Sequence, residues 1–247
     1  MGKVKAVILA AGKGTRMKSE LPKVIHEALG KPMVQYVIEA AREAGAELAD
    51  ICLVVGHGAD QVKAAVGEGV QYVLQEEQLG TGHAVKCAGK FIGNEGMTLV
   101  LCGDTPLLTG RTLKKLVEQH ELEGNAVTVL TAALEDPTGY GRIIKDRWGK
   151  FEKIVEEKDA SPAEKRVDEV NSGVYVFRSS ALTEALSRLD NNNSQGEYYL
   201  TDTIEIIKNR GIGTVATMLT SDANETKGVN SKEQLAEAEE LLRSGRI

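Results

Sequence analysis

The sequence predicts an α/β fold, a mixed and mostly parallel sheet with helices on both faces, extended by a small part that contains a β-hairpin. Three observations carry this. From residue 4 to residue 132, short unbroken apolar runs alternate with stretches whose apolar residues recur at helical spacing. The apolar runs lack the in–out alternation of a half-exposed sheet, so their strands are expected to be covered on both faces. Beyond residue 134 the pattern changes, and two strand-like runs are joined by the short turn Asp146-Arg147-Trp148-Gly149.

Taken in order, residues 4–9 (Val-Lys-Ala-Val-Ile-Leu) form the first strand, with one charged interruption. Pro32 opens a helix through Val34, Val37, Ile38 and Ala41, stopped at Gly45. Residues 51–55 are a second strand ended by Gly56, 59–66 a short helix and 70–75 a third strand. A glycine-rich turn leads into a helix over 80–88, then come a fourth strand at 97–101, a helix at 109–123 and a fifth strand at 126–132. The hairpin pairs 142–145 with 151–156; a strand at 173–177 and a helix at 181–189 follow, then a polar loop at 191–196. Asp202 with Glu205 three positions on predicts a capped helix through Asn209, and 215–219 is the last strand. Ser231 with Gln234 predicts a second capping box, opening a charged helix over 233–243. The first part, to about residue 134, has the form of a nucleotide-binding half. The second would cover a substrate lying at the carboxyl ends of the parallel strands.

Composition narrows the partners. A net charge of −6 over 247 residues argues against nucleic acid or an acidic membrane surface. No run of about 18 apolar residues occurs, and residues 4–11 are too short for a signal-peptide core. Cys52, Cys87 and Cys102 are far apart with no C-x-x-C; the first two read as buried thiols, and a reducing cytoplasm is the expected compartment. His26, His57, His83 and His120 show no paired metal-ligand spacing, which argues against zinc.

The stretch over 9–23, Leu-Ala-Ala-Gly-Lys-Gly-Thr-Arg-Met-Lys-Ser-Glu-Leu-Pro-Lys, follows the first strand. It carries Lys13, Arg16, Lys18 and Lys23 against a single acid, Glu20. A glycine-rich backbone flanked by cations is a phosphate cradle in form, although Lys13 or Lys18 alone reads equally well as a solvated surface charge. A dinucleotide fingerprint fails, because Met17 stands where its third glycine belongs and the second strand ends Val55-Gly56 without an acid. A P-loop fails for lack of Gly-Lys-Ser/Thr after its four spacers.

What is present, L-A-A-G-K-G-T-R followed by Pro22-Lys23, resembles the signature of the sugar-1-phosphate nucleotidyltransferases, which have a Rossmann-like core. Gln75, then Leu79-Gly80-Thr81-Gly82-His83-Ala84, looks like that family's base-recognition segment, and Cys102-Gly103-Asp104-Thr105-Pro106-Leu107 looks like its metal-binding segment. Thr138-Gly139-Tyr140-Gly141-Arg142, Ile154-Val155-Glu156, Asn171-Ser172-Gly173 and Gly228-Val229-Asn230 follow in the family's order. Within the family the set looks like the uridyltransferase part of the bacterial bifunctional N-acetylglucosamine-1-phosphate uridyltransferases. Cys102 departs from members that carry Tyr there.

The resemblance implies transfer of a uridyl group from UTP to N-acetyl-α-D-glucosamine 1-phosphate with Mg²⁺ as cofactor. Leu9, Ala10, Ala11 and Gly12 would line the nucleotide, Arg16 and Lys23 would neutralise phosphate charge, and Gln75, Gly80 and Thr81 would read uracil. Asp104 and Asn230 would hold the metal, with Cys102 and Gly103 beside it. Turn chemistry is the alternative for both ligands, and it is stronger for Asn230, which directly precedes the Ser231 cap. Gly141, Glu156 and Asn171 would hold the sugar. Glu156 and Glu157, adjacent in a strand, point to opposite faces, and the resemblance selects Glu156 as inward, leaving Glu157 solvated. Tyr198, Tyr199 and Thr201 read as core or supporting residues. The expected division is a nucleotidyltransferase domain over 1–230 and a C-terminal helix over 231–247. In the family such a helix links to a left-handed β-helix acetyltransferase that makes the trimer; no hexapeptide repeat occurs here, and a monomer is expected of this chain alone. A nucleotidyltransferase of different sugar or base specificity, and a non-catalytic nucleotide-binding module, remain as alternatives. A glycosyltransferase would call for Asp-x-Asp, and Asp104-Thr105-Pro106 lacks the second acid.

Overall fold

A computed structural model of the chain describes residues 2–245. In chain order the elements are β1 (Val4–Ala10), α1 (Met33–Glu43), β2 (Ile51–Val55), α2 (Ala59–Val66), β3 (Gln71–Leu74), α3 (Thr81–Cys87) and α4 (Gly89–Ile92). They continue as β4 (Met97–Cys102), α5 (Gly110–Glu123), β5 (Val127–Ala133), the hairpin β6 (Arg142–Lys145) and β7 (Phe151–Val155), and β8 (Glu169–Arg178). The last are α6 (Ser179–Leu186), α7 (Asp202–Asn209), β9 (Val215–Leu219) and α8 (Lys232–Arg243). The main sheet runs β9-β5-β8-β4-β1-β2-β3, with the β6–β7 hairpin attached to β8 through β6. β1 is parallel to both neighbours, whereas β8 runs antiparallel between β4 and β5. The sheet is therefore mixed and mostly parallel, as expected.

Burial on both faces explains the unbroken apolar runs. Ala6, Ile8 and Ala10 of β1 pack with Val34, Val37 and Ile38 of α1 and Leu113 and Leu116 of α5. Val7 faces the other way, into a cluster with Val85 of α3, Leu182 of α6 and Ile204 of α7. Each such side chain contributes about 1.5–3 kcal/mol when fully buried. α5 begins at a true cap, where Thr109 Oγ1 accepts from Thr112 N at 3.2 Å, and it ends on Gly124. α8 closes a smaller cluster, laying Ala238, Leu235 and Leu241 against Met33, Leu107 and Val229. Its Ser231 cap forms as expected, and the Gln234 side chain reaches back to Asn230 N at 2.7 Å. Among the described residues no helix is long and apolar enough to cross a membrane.

Two expectations fail locally. The capping box at Asp202 does not form: Thr201 occupies the cap position with helical dihedrals, and its side chain makes no capping bond. Its hydroxyl instead donates to Glu156 Oε1 at 3.1 Å. The strand expected at 173–177 also starts earlier, at Glu169, because a register shift between Asn171 and Val174 lets polar residues interrupt the strand without ending it. Gly173, with φ of 78°, sits in that irregularity.

Candidate active site

The site is built at the carboxyl edge of β1 and β4, where their register sets Leu9 beside Cys102. One further bond, Gly103 N to Leu9 O at 2.9 Å, carries the pairing past the strand end and leaves Asp104 at the sheet's rim. Val229 N donates to Asp104 O at 2.8 Å, tying the chain just before α8 to the same rim. That bond brings Asn230 next to Asp104. The Lys23 ammonium bridges them, donating to Asp104 Oδ2 and to Asn230 Oδ1, the latter at 2.8 Å. The Lys23 and Asp104 side chains are only 16% and 17% exposed, so the pair is poorly screened by water.

Lys23 reaches this position under the glycine loop. Gly14 has φ of 61°, and a Cβ there would lie 2.6 Å from Lys23 Cβ, so only glycine lets the two segments pack. Ala10 and Ala11 are buried at the end of β1, Leu9 is half-buried and Gly12 is exposed. Arg16 is exposed, makes no ion pair or side-chain hydrogen bond among the described residues, and lines a cavity of about 270 Å³ with Asp104, Tyr140, Ser172, Gly228 and Asn230. Lys13 and Lys18 are exposed too. Cys102 stands at the cavity wall; burial pushes its thiol up to about 12, so it is a neutral, non-nucleophilic group.

A divalent cation fits the Asp104–Asn230 corner on its donor chemistry. A carboxylate and an amide oxygen already converge on one cation, the lysine ammonium. Mg²⁺ favours such hard oxygen donors, needs only one or two from the protein and takes the rest from phosphate and water. Among the described residues no group of three or more His, Cys, Asp or Glu gathers anywhere.

A second group of residues lies where the hairpin meets β8. Asn171 N donates to Gly141 O at 2.8 Å, and the Gly141 Cα lies against Ile154 and the Glu156 carboxylate. Burial pushes the Glu156 carboxyl above its ordinary range, and the Thr201 hydroxyl offsets part of that by donating to it. Asn171 Nδ2 donates to the buried Tyr175 hydroxyl at 2.7 Å, and its Oδ1 accepts from Gly173 N at 3.1 Å. The amide is thus fixed in orientation. Glu157 is not simply solvated, contrary to expectation: it pairs with the buried Arg142 at 2.8 Å and with Lys165 at 3.6 Å. An arginine only 2% exposed has to find a carboxylate, and Glu157 is within its reach.

The third group sits beyond β3. Gln75 is 3% exposed, and its Nε2 lies 3.2 Å from Gly80 O and 3.1 Å from His83 Nδ1. Gly80 has φ of 107°, and a Cβ there would come 2.6 Å from Tyr198 O, so the segment is clasped by 197–200. The Thr81 hydroxyl accepts from Leu200 N at 3.2 Å and so braces the turn. Thr201 takes the supporting role read for it, behind Glu156, whereas sequence reasoning missed the bracing roles of Tyr175 and the Tyr198 backbone. Nothing in their spacing marks them, because each acts through a residue distant in sequence or through the main chain.

The profile of the family described as nucleotidyl transferase matches residues 5–226. The chain is 54% identical over 245 residues to the bifunctional protein GlmU of Caldanaerobacter subterraneus subsp. tengcongensis, covering 98% of this chain and 52% of that protein. To the protein of the same name from Clostridioides difficile it is 51% identical over 239 residues, covering 97% and 51%. The chain thus spans about half the length of the curated relatives it matches. A crystal structure from Bacillus anthracis, described as a glucose-1-phosphate thymidylyltransferase, superposes with a TM-score of 0.74. That likeness covers 97% of this chain and 95% of the other at 20% identity, and it speaks to fold alone.

Proposed function

The chain belongs to the nucleotidyl transferase family, and from that premise we propose that it transfers the uridyl group of UTP to N-acetyl-α-D-glucosamine 1-phosphate, releasing pyrophosphate. The observation that carries the chemistry is the meeting of Lys23, Asp104 and Asn230 at the rim of β1 and β4. The choice of substrates is supported by the ordered motifs and by identity above half to proteins named GlmU over nearly the whole chain.

In this reading a phosphate oxygen of the sugar phosphate attacks the α-phosphorus, the bond to the β-phosphate breaks, and pyrophosphate leaves. Both reactants are polyanions, so positioning and charge neutralisation are the tasks, and no covalent nucleophile is required. Leu9, Ala10, Ala11 and Gly12 place backbone atoms along the nucleotide, with Cys102 and Gly103 beside them at the end of the neighbouring strand. Arg16 and Lys23 offset charge on the triphosphate and the departing pyrophosphate, Arg16 as a fork and Lys23 as a point charge. Asp104 and Asn230 are the protein ligands for Mg²⁺, which when bound would neutralise charge on the phosphate oxygens. Gln75, Gly80 and Thr81 read the base, with Thr81 acting through its backbone. Gly141, Glu156 and Asn171 hold the sugar, the last two through fixed side chains.

The test is a panel of nucleotides and sugar phosphates with Mg²⁺, scored by pyrophosphate release. UTP with N-acetylglucosamine 1-phosphate should give the highest kcat/KM. Preference for dTTP or for glucose 1-phosphate would overturn the substrate assignment, and undiminished turnover in Asp104→Ala would overturn the chemistry.

A further inference from the structure

The base-reading glutamine has a neighbour that no motif assigned. A glutamine amide carries two hydrogens on nitrogen and two lone pairs on oxygen, so it reads a base edge as donor, acceptor or both. Around Gln75 the nitrogen is already engaged twice. One hydrogen points to Gly80 O at 3.2 Å and the other to His83 Nδ1 at 3.1 Å. That second bond uses the tautomer with the lone pair on Nδ1 and the proton on Nε2, which lies 3.9 Å from Cys87 Sγ one helical turn on. Among the described residues none donates a hydrogen bond to Gln75 Oε1, and that oxygen is not sealed away from solvent. It is the one end of the amide left for a ligand.

We infer that His83 is a positioning residue for base specificity: by taking the second amide hydrogen it locks Gln75 into presenting only an acceptor. The inference rests on the reading that Gln75 faces the base. An acceptor there pairs with the N3–H of uracil and meets a lone pair at N3 of cytosine. Turning the amide over would bring Oε1 against the Gly80 carbonyl and would require His83 to move its proton to Nδ1, so cytosine is refused by an unfavourable contact and a tautomer change as well as a lost bond. A site built in this way discriminates far more strongly than one relying on shape. With the His83 acceptor removed, Gly80 O alone would hold the amide, and the turned orientation would become accessible.

Two substitutions separate this role from packing. His83→Phe keeps a ring and removes the acceptor; His83→Asn places an amide oxygen near the Nδ1 position. The kcat/KM ratio for UTP over CTP, with equilibrium binding of each nucleotide as a second readout, should fall about tenfold or more in His83→Phe and stay near the parent value in His83→Asn. An unchanged ratio in His83→Phe, or an equal fall in both variants, would overturn the inference. Gln75→Ala distinguishes the two levels. If the ratio survives Gln75→Ala, the base-reading assignment itself is wrong; if it collapses there but not in His83→Phe, only the role of His83 is.

Discussion

Replacing Lys23 by methionine should change two properties in opposite directions. The ammonium holds Asp104 and Asn230 together in a corner where both charged side chains are less than one-fifth exposed. A hydrogen bond to a charged group is worth about 1.5–3 kcal/mol, so a cation entering between Asp104 and Asn230 has a lysine interaction of about 3 kcal/mol to displace. Lys23 regains part of that by turning to solvent or to phosphate. Lys23→Met removes the competitor and leaves the carboxylate and the amide oxygen in place. Mn²⁺, a spectroscopic substitute for Mg²⁺, should then bind the nucleotide-free protein about 10- to 100-fold more tightly, at 1.36 kcal/mol per decade. Turnover should move the other way, because removing one preorganised charge from the developing phosphate charge costs about 10²- to 10³-fold. Electron paramagnetic resonance of free Mn²⁺ reads the first change and pyrophosphate release the second, with thermal unfolding showing that both proteins are folded. Weaker or unaltered Mn²⁺ binding would refute the competition, and activity near the parent's would refute the neutralising role.

Three further outcomes are expected. Thr201→Val deletes the 3.1 Å bond to Glu156 and should raise KM for the sugar phosphate about threefold to tenfold, with KM for UTP unchanged in the same initial-rate assay. Asp202 has its carboxyl pushed up from 3.8 to about 6, first by burial and then by Glu205, Asp190, Glu156 and Asp159 around it. The folded protein therefore holds that proton more tightly than the unfolded chain, and this group's contribution to stability is present below pH 3.8 and lost as pH rises through about 6. Asp202→Asn should accordingly raise Tm at pH 7 and leave it nearly unchanged at pH 3.5, as followed by thermal melts across that range. Ala238→Glu places a carboxylate against Met33, Leu107 and Val229 at a position 2% exposed, at a cost of several kcal/mol; loss of α8 packing should weaken Mn²⁺ binding through Asn230, measured by the same resonance titration.

The strands were legible because burial on both faces writes itself as an unbroken apolar run; β1, β2 and β4 fall where residues 4–9, 51–55 and 97–101 placed them, give or take a residue. Asp104 was legible as a rim residue for the same reason, following directly on such a run. What joins the rim was not. Lys23 meets Asp104 across 81 residues and Asn230 across 207, and the meeting depends on a main-chain bond from Val229, to which side-chain identity is nearly irrelevant. Identities at these positions came from family resemblance, whereas the Lys23 bridge came only from the coordinates. Asp202–Glu205 misled because the same spacing serves a helix cap and two acids in a first turn; the neighbouring threonine had a better partner in Glu156. Glu157 was misjudged because adjacency in a strand says which face a side chain leaves by, and says nothing of a buried arginine waiting there.

These placements give the cleft a polarity that suits the proposed acceptor. At one end Arg16 and Lys23 offer positive charge beside the Asp104–Asn230 corner. At the other, Glu156 is a half-buried carboxylate backed by Thr201, with Asp202, whose carboxyl is pushed up to about 6, next along the chain. A sugar 1-phosphate is itself polar in this sense, anionic at the phosphate and rich in hydroxyl donors elsewhere. Inserted the right way round, its hydroxyls find an acceptor whose burial strengthens each hydrogen bond and its phosphate faces the cations. Inserted backwards, the phosphate would meet Glu156 in a poorly solvated setting, where like charges repel most strongly. The negative charge of the whole protein, which argued against nucleic acid and acidic membrane surfaces, is consistent with a small polyanionic substrate because the cations that matter are few and held at one rim. An acid at the far end then adds to orientation what it gives up in attraction.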